Sequence, residues 1–469
     1  MNVLLIRAAK PLANVLLFLA PLCPLSAQPQ PIYTLPELMD SAMRHLPLLL
    51  EKEALVQSAE AGIGEARDAF LPQVNVAEGV SLGSANDLAG PFLPVPGAIH
   101  PISGSIAGAS NYQAVTGNMA SLYAQYDLVT FGLKDARVAS ARAYVSLTRA
   151  ELEKARYLIK WEIGKLYFNI LSRGYQLAVD GEDVRRYEQM YAISKALTGA
   201  GVNPGVDSSL ARAGLSRTRI TYNELAGELR RLQQQLGYLT GIASPGIRMD
   251  TSRVGLTSAA GLTGPYPADT LAAGNPLEDY FARQQQQYRA QEALARKSYL
   301  PKLILGAGGW ARGSAIQYSN VYSSAGEGLG YQRLNYVAGV GITYELFNGV
   351  HRRDRLNVLG KQVTAAGYAL QQQQLSLHNQ QMQADESMRT ARANLAELPA
   401  QLQAANDAYR QKLAQYRAGI INLVDLVTAS FELLQAQTGY IQTLNQWFIA
   451  SLDKAAATGT LDQFLQTTK

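Results

Sequence analysis

The sequence predicts a mixed α and β membrane protein that is internally duplicated, with long helices and four membrane-crossing strands. Two observations support this prediction. The segment 200–207 reappears as 418–425, an offset of 425 − 207 = 218 positions, and stretches of helical composition flank both copies. Each half also contains two short segments in which apolar residues alternate with small or polar ones, which is the pattern of strands.

Residues 1–27 have the features of a secretory signal peptide. Arg7 and Lys10 precede a short apolar run, and Leu25-Ser26-Ala27 offers a small-residue cleavage site. The single cysteine, Cys23, lies within this segment. A lipoprotein would carry its lipid at such a cysteine, but the leucine before Cys23 does not fit that pattern. We therefore favour simple cleavage after Ala27, with lipidation of Cys23 as the alternative.

The mature chain is predicted to contain two repeats joined by a linker. The first repeat covers 28–241 and the second covers 275–460. The linker, 242–274, is rich in Gly, Pro, Ser and Thr, and 461–469 is a C-terminal tail. Each repeat is expected to run through a helix, two strands, a long helix, the repeated turn and a last helix.

The predicted elements of the first repeat are helices at 37–70, 133–197 and 206–240, with strands near 74–82 and 121–128. Thr34 is the expected N-cap of the first helix, and Pro47 is an irregularity within it. In the second repeat the helices lie at 276–299, 350–417 and from 423 onward, with strands at 302–312 and 336–346. Gly181 and Pro399 occupy equivalent positions in the two long helices and are predicted to loosen them.

The lengths of these elements suggest how they pack. Two short helices placed end to end match one long helix, so each repeat can form two rods about 100 Å long. Strands of about 10 residues are long enough to cross a bilayer when tilted. Natural membrane barrels have at least about eight strands, so four strands cannot close one. Copies of the chain must share a barrel, and strand counts alone allow a dimer or a trimer.

Composition and motifs exclude other classes of protein. The net charge is +5, and no Lys/Arg cluster is interleaved with aromatic residues, so nucleic-acid binding has little support. The four histidines lie far apart, and the chain has no HExxH, phosphate loop or CxxC motif. We therefore predict no enzyme activity, no metal site and no cofactor.

The order of these features resembles the outer-membrane efflux protein family, the TolC-like exit ducts of Gram-negative bacteria. The shared features are the doubled Ala-Gly-x5-Asp turn and four flanking dipeptides: Leu71-Pro72 and Leu300-Pro301 before strands, and Phe131-Gly132 and Asn348-Gly349 after them. The resemblance implies a homotrimer with a 12-stranded β-barrel in the outer membrane and a long α-helical barrel in the periplasm.

The resemblance also implies partners and a function. The partners would be outer-membrane lipid, a periplasmic adaptor protein, and an inner-membrane transporter of the RND, ABC or MFS type. The function would be that of a passive exit duct in a tripartite efflux pump or a type I secretion system. The cargo is not specified by these features. An alternative interpretation is a periplasmic helical scaffold or adaptor without a channel.

Candidate site residues lie at the doubled turn. Gly201 and Gly419 are predicted helix C-caps, and Asp207 and Asp425 are predicted N-caps. Either these residues are caps alone, or the turns also form the docking surface for the adaptor. The docking surface implied by the resemblance comprises Ala200, Gly201, Asp207, Ala418 and Gly419.

The resemblance implies that the second turn also forms the gate, with Asp425 facing the pore and Tyr416 linking neighbouring helices. Ile421 stands where the best-known member has a basic partner, and Thr428 where it has a second acid, so the closing network is expected to differ. Five polar residues are expected to line the pore near the strands: Asn75, Gln125, Asp127, Thr343 and Glu345.

Overall fold

The computed structural model describes residues 32–86, 108–202, 204–242, 248–249, 274–318 and 321–467. The predicted signal peptide, with Cys23, and most of the linker 242–274 lie outside these residues. The elements, in chain order, are β1 (Ile32–Tyr33), α1 (Leu35–His45), α2 (Pro47–Asp68), β2 (Gln73–Gly83), β3 (Val115–Val129), α3 (Leu133–Gly199), α4 (Gly205–Thr240), β4 (Arg248–Met249), α5 (Pro276–Ser298), β5 (Lys302–Ser314), a 3-10 turn (Glu327–Leu329), β6 (Arg333–Thr343), α6 (Asn348–Arg417), α7 (Leu423–Thr458) and α8 (Leu461–Thr467).

The first predicted helix, 37–70, is in fact two helices. Leu46, between α1 and α2, has an extended backbone with φ −70° and ψ 116°. The cause is Pro47, which disfavours helical backbone at the residue before it and is well placed at the start of a helix. Thr34 is the N-cap of α1, as predicted, and its backbone N–H donates to Glu37 Oε2 at 2.8 Å.

The two long helices have nearly equal lengths. Helix α3 has 67 residues and α6 has 70, or about 100 and 105 Å. Both are continuous, so the loosening predicted at Gly181 and Pro399 does not interrupt either helix. Pro399 lies well inside α6, where it removes one backbone hydrogen bond without ending the helix.

The helices form four rods that lie side by side. The first rod is formed by α2 and α4, the second by α3, the third by α5 and α7, and the fourth by α6. Helix α3 packs against the first rod on one side and against the third rod on the other, and α6 packs against the third rod. Ion pairs show that α2 and α4 follow one another along α3, because Glu53 meets Arg156 and Glu188 meets Arg219. The prediction that two short helices lie beside one long helix is therefore confirmed.

Four of the strands form an antiparallel sheet in the order β2-β3-β5-β6, and the two short strands β1 and β4 pair in parallel with each other. Strand β6 spans Arg333–Thr343, so the predicted strand 336–346 extends too far toward the helix. The chain turns after Thr343, where the Asn348 N–H donates to the Glu345 carbonyl at 3.1 Å, and α6 begins at once. Glu345 therefore lies in this turn and not on the strand.

The largest apolar core joins α1, α3, α7 and α8. The Phe168 ring stacks on Phe448, with their centroids 5.0 Å apart. Residues of the predicted C-terminal tail form α8, and Leu461, Phe464 and Leu465 are buried in this core. Among the helices that the structure describes, none is both long and apolar enough to span a bilayer.

Candidate functional site: the doubled turn and the faces of the sheet

The two copies of the repeated turn have the same backbone structure. Gly201 and Gly419 both have φ 72°, the left-handed conformation that favours glycine. In the first turn the N–H groups of Gly201 and Val202 donate to the carbonyls of Thr198 and Leu197 at 3.1 and 3.0 Å. Gly419 and Ile420 donate in the same way to Tyr416 and Gln415, both at 3.0 Å. These bonds define the Schellman motif, so the predicted glycine C-caps are confirmed.

The prediction that Asp207 and Asp425 are N-caps is wrong. Helix α7 begins at Leu423, its N-cap is Asn422, and the Asn422 side chain accepts a hydrogen bond from the Asp425 N–H at 2.9 Å. Pro204 precedes α4, and its carbonyl accepts from the Asp207 N–H at 3.1 Å. Both aspartates thus occupy the third helical position, where their charge interacts favourably with the helix N-terminus.

The outer surface of the turns carries equivalent apolar side chains. Val202 and Val206 of the first turn are 60% and 59% exposed, and their counterparts Ile420 and Val424 are 72% and 60% exposed. Ala200, Gly201, Ala418 and Gly419 are exposed beside them, and Asp207 is half-buried. The doubled turn thus presents a small apolar surface with acidic residues nearby.

The two predicted gate residues lie in different environments. Asp425 is exposed at the start of α7. Tyr416 is fully buried in a core with Met190, Leu423 and Leu426, and its hydroxyl has no hydrogen-bond partner among the residues that the structure describes. Ile421 packs against the same core, and the Thr428 hydroxyl donates to the Val424 carbonyl at 2.9 Å. In this structure Tyr416 is therefore a packing residue between helices of one chain.

A buried polar cluster lies about 27 Å along α3 from the first turn. Asp183 is 3% exposed and accepts from Arg186 Nη2 at 2.9 Å, while the Ser430 hydroxyl is 3.5 Å from the same carboxylate. Asp180 is also buried and accepts from Gln176 Nε2 at 2.8 Å. Burial raises the pKa of both carboxyl groups, and Arg186 opposes this shift.

The sequence predictions did not include this cluster. Its members lie at 176, 180, 183 and 186, so all four share one face of α3. The same spacing is typical of an exposed helix stabilised by ion pairs, so the pattern alone does not reveal burial. The packing of α7 against α3 brings Ser430 to this cluster, and the Tyr409 ring of α6 lies 5.9 Å from the Arg186 guanidinium, so neighbouring helices enclose these groups.

The register of the sheet separates a polar face from an apolar face. Asn75 of β2 pairs with Tyr123 of β3, so these two side chains lie on the same face of the sheet. Side chains alternate along a strand, so Gln125 and Asp127 lie on that face as well. Asp127 pairs with Ile304 of β5, and Lys302, two residues before Ile304, lies on the same face. Lys302 pairs with Thr343 of β6, so Thr343 lies on this face too. Four of the five predicted pore residues therefore share one face, hereafter the polar face; Glu345 lies beyond the strand.

The other face of the sheet, hereafter the apolar face, is formed mainly by aliphatic and aromatic residues: Val74, Val76, Val80, Leu82, Leu122, Tyr126, Leu305, Leu334, Tyr336, Val340 and Ile342. Glu78 interrupts it, but its carboxylate accepts a hydrogen bond from the Tyr331 hydroxyl at 2.8 Å. A strand that separates lipid from water needs one apolar face and one polar face. The described residues contain no cluster of His, Cys, Asp and Glu that could hold a metal ion.

Comparisons with known proteins agree with this geometry. The chain is similar to the outer-membrane channel CmeC of Campylobacter jejuni, with 15% identity and a TM-score of 0.71 over 92% of this chain and 89% of that one. It is similar to VceC of Vibrio cholerae, with 15% identity and a TM-score of 0.70 over 91% and 96%. The open state of MtrE of Neisseria gonorrhoeae matches with 17% identity and a TM-score of 0.66 over 92% and 90%. No curated protein sequence matches significantly.

The family model described as outer membrane efflux protein matches residues 38–242 and 280–460, which correspond closely to the two repeats. These segments cover most of the chain. They place the protein in the outer membrane, in a family of transport channels and not of enzymes. The chain belongs to the outer membrane efflux protein family, and its fold is the internally duplicated fold of that family's channels.

Proposed function

We propose that this protein is the exit duct of a tripartite efflux pump or a type I secretion system and that it acts as a homotrimer. The observation that supports the trimer is the arrangement of edges. The outermost strands of the sheet are β2 and β6. The outermost rods of the helical layer are the rod of α2 and α4 on one side and α6 on the other. Three copies would join these edges into a barrel of 12 strands and a tunnel of 12 rods.

An open sheet edge is unfavourable in lipid because its backbone groups have no hydrogen-bond partners there. Closure by copies of the chain satisfies both edges at once. With the apolar face toward lipid, the polar face with Asn75, Gln125, Asp127 and Thr343 lines a water-filled duct. A periplasmic scaffold without a channel, which is the alternative function, would not need a sheet with one apolar face.

The doubled turn is the proposed contact with the periplasmic adaptor protein. Its four exposed aliphatic residues would bury apolar surface against the partner, and an inner-membrane transporter would supply the energy. We expect Ile420→Glu combined with Val202→Glu to reduce copurification of the adaptor while trimers still form. Ile220→Glu is the control, since Ile220 is 58% exposed on α4 but lies about 22 Å from its start.

Two results would contradict this proposal. Recovery of the protein from soluble periplasm, and not as trimers in the outer membrane, would exclude the duct. Equal loss of the adaptor with Ile220→Glu and with the turn variant would exclude the turn as the specific contact. The transporter and adaptor that copurify with the wild-type protein would identify the system and narrow the class of cargo.

The second turn is also the proposed gate. Asp425 is exposed at the start of α7, so three copies around the axis would place three carboxylates near one another. We expect Asp425→Ala to raise single-channel conductance in planar bilayers, because it removes both side-chain volume and charge from the constriction. Asp207→Ala is the matched control in the first turn, and unchanged conductance of the Asp425 variant would remove this residue from the gate.

A further inference from the structure

Helix α6 carries a row of exposed apolar side chains. They recur at intervals of seven, and all are more than half exposed: Tyr368, Leu375 and Met382. Residues at this spacing lie along one side of a helix and commonly pack against a second helix. Among the described helices of the same chain, α6 packs mainly against α5 and α7, and these leave the row exposed.

The equivalent row of α3 is buried. It lies 218 positions earlier and comprises Ala150, Tyr157 and Gly164. The Tyr157 hydroxyl donates to the carbonyl of Ala456 in α7 at 2.8 Å. A Cβ atom on Gly164 would lie 2.9 Å from Leu452 in the same helix. The side of α3 that meets α7 therefore has its counterpart on the exposed side of α6.

Helix α4 is the repeat equivalent of α7. Both have 36 residues, and both begin and end at the same offset of 218 positions. Helix α4 packs against α3 as α7 packs against α6, so the side of α7 that contacts α3 corresponds to a side of α4 that faces away from its own chain. On that side Tyr238, the equivalent of Ala456, is 80% exposed. The two outermost rods thus expose the equivalents of both halves of the α3–α7 contact.

Residue sizes differ between the buried contact and its exposed equivalent in a correlated way. In the α3–α7 contact a large residue, Tyr157, meets a small one, Ala456. At the equivalent positions α6 has the smaller Leu375 and α4 has the larger Tyr238. A decrease on one side accompanies an increase on the other, as expected of positions that pack together.

Charges differ in the same correlated way. Lys165 of α3 and Asp453 of α7 form an ion pair at 3.3 Å. The equivalent positions are Gln383 of α6 and Gln235 of α4, and both side chains are exposed. Replacement of one partner alone would leave a charge unpaired, but both partners are replaced by neutral amides that can hydrogen-bond to each other.

We propose that α6 of one copy packs against α4 of the next copy, with Leu375 against Tyr238 of the neighbouring copy and Gln383 beside its Gln235. This inference rests on the proposed function, because it requires the homotrimer, and it adds which helix sides meet and in what register. Since α6 and α4 belong to opposite outermost rods, the same contact repeated three times closes the ring of rods.

The first test is cross-linking in outer-membrane vesicles with a short bismaleimide. Tyr238→Cys/Leu375→Cys should give covalent dimers and trimers that persist on a denaturing gel. Tyr238→Cys and Leu375→Cys alone should give neither, and Cys23, the only native cysteine, is encoded in every variant. Ile220→Cys/Leu375→Cys is the matched control, because Ile220 is also exposed on α4 but lies about 27 Å from Tyr238.

The second test exchanges the sizes of the two side chains. Leu375→Tyr places two tyrosines where the contact holds one, so it should lower the temperature at which trimers dissociate in detergent. Adding Tyr238→Ala restores the tyrosine–alanine combination of the α3–α7 contact and should recover at least half of that loss. Tyr238→Ala alone provides the remaining corner of the double-mutant cycle.

Three results would overturn the proposed contact while leaving the trimer intact. These are trimers in which Tyr238→Cys/Leu375→Cys does not cross-link, equal cross-linking by the Ile220→Cys control, and covalent dimers formed by Leu375→Cys alone. Strictly additive effects of Leu375→Tyr and Tyr238→Ala would also contradict it, because residues in contact are coupled. A wild-type protein that forms no trimers would instead contradict the proposed function itself.

Discussion

Helices α3 and α6 are equivalent elements of the two repeats, yet they have different environments. Twenty of the 67 residues of α3 are buried, whereas eight of the 70 residues of α6 are buried. The buried residues of α6 recur mostly at intervals of seven, as in Leu377, Ala384 and Ala391, which gives one narrow stripe. Helix α3 lies between two rods, while α6 contacts one.

The difference shows how position, and not duplication, determines the role of each copy. The same unit occurs twice in sequence, but the first copy supplies an inner rod and the second supplies an edge rod. The remaining sides of α6 are rich in Gln and other polar residues. In the proposed trimer, these sides meet water and a neighbouring copy. Substitutions at matched positions of the two helices can test this comparison.

The largest expected effect is at Phe168, whose ring is buried against Phe448, Tyr167 and Phe464. Phe168→Ala should destabilise the fold by about 3–5 kcal/mol, because it removes apolar contacts and leaves a cavity. The equivalent residue of α6, at 168 + 218, is the exposed Glu386. Glu386→Ala should change stability by only about 0.5 kcal/mol or less.

Thermal unfolding in detergent, followed by the helical circular dichroism signal, measures both variants. Glu386 pairs with Arg389 at 2.6 Å, but both side chains are exposed, so losing this ion pair should cost little. Equal destabilisation by the two substitutions would show that α6 is as enclosed as α3 in the assembled protein, and the comparison would fail.

A smaller effect is expected from the same substitution, Gly to Ala, in the two long helices. A Cβ atom on Gly164 of α3 would lie 2.9 Å from Leu452, which is itself fully buried. Gly164→Ala should therefore destabilise by about 1–3 kcal/mol through overpacking. Beyond the adjacent residues and the backbone of its own helical turns, Gly360 of α6 has no atom of the described residues within 4 Å of its would-be Cβ, so Gly360→Ala should stabilise the helix by up to about 1 kcal/mol.

The Gly360 variant also locates the neighbouring copy. If Gly360→Ala lowers the melting temperature of the trimer, a second chain approaches α6 closely at that point. If Gly164→Ala leaves the melting temperature unchanged, the close contact with Leu452 does not limit the packing of α3 against α7.

The next prediction concerns pH and the buried carboxyl groups of α3. Burial raises the pKa of Asp180, so the folded chain holds this proton at pH values where the unfolded chain has lost it. The contribution of Asp180 to stability is therefore greatest at pH values below the ordinary carboxyl pKa. It declines as the pH rises through the raised pKa of the folded chain. Asp180→Asn removes this decline and should stabilise the protein near neutral pH by on the order of 1 kcal/mol.

Melting temperatures measured from acidic to neutral pH provide the test. The gap between Asp180→Asn and wild type should widen as pH rises. Glu182→Gln is the control on the same helix, because Glu182 is exposed and lies 4.0 Å from Arg185. A gap that is constant with pH, or one that Glu182→Gln reproduces, would contradict the prediction for Asp180.

Much of the fold could be predicted because its determinants are local. Gly201 and Gly419 end helices through their own backbone conformation, and the alternation along β6 is visible in the sequence alone. The N-cap of α7 was predicted wrongly because an aspartate and an asparagine both cap helices well. Nothing in the repeat pattern indicated that Asn422, and not Asp425, accepts the hydrogen bond.

Features that depend on distant parts of the chain were not predictable. Polar residues such as Asp183 are ordinary on a helix surface until α7 encloses them. The tail residues Leu461 and Phe464 gave no periodic signal in so short a segment, yet they pack into the main core. The roles of the predicted site residues depend on contacts between chains, which the sequence pattern of one chain does not encode.

The smallest expected effect is at Tyr416, which lies in the buried stripe of α6. Its buried hydroxyl has no hydrogen-bond partner in the described part of the chain, so Tyr416→Phe should leave stability unchanged or raise it by up to about 1 kcal/mol. If the hydroxyl only fills space, conductance in planar bilayers will also match wild type. If it links helices in the closed state, conductance will rise although stability does not fall. Tyr416→Ala, which opens a cavity, should lower stability in either case and separates loss of packing from loss of the hydroxyl.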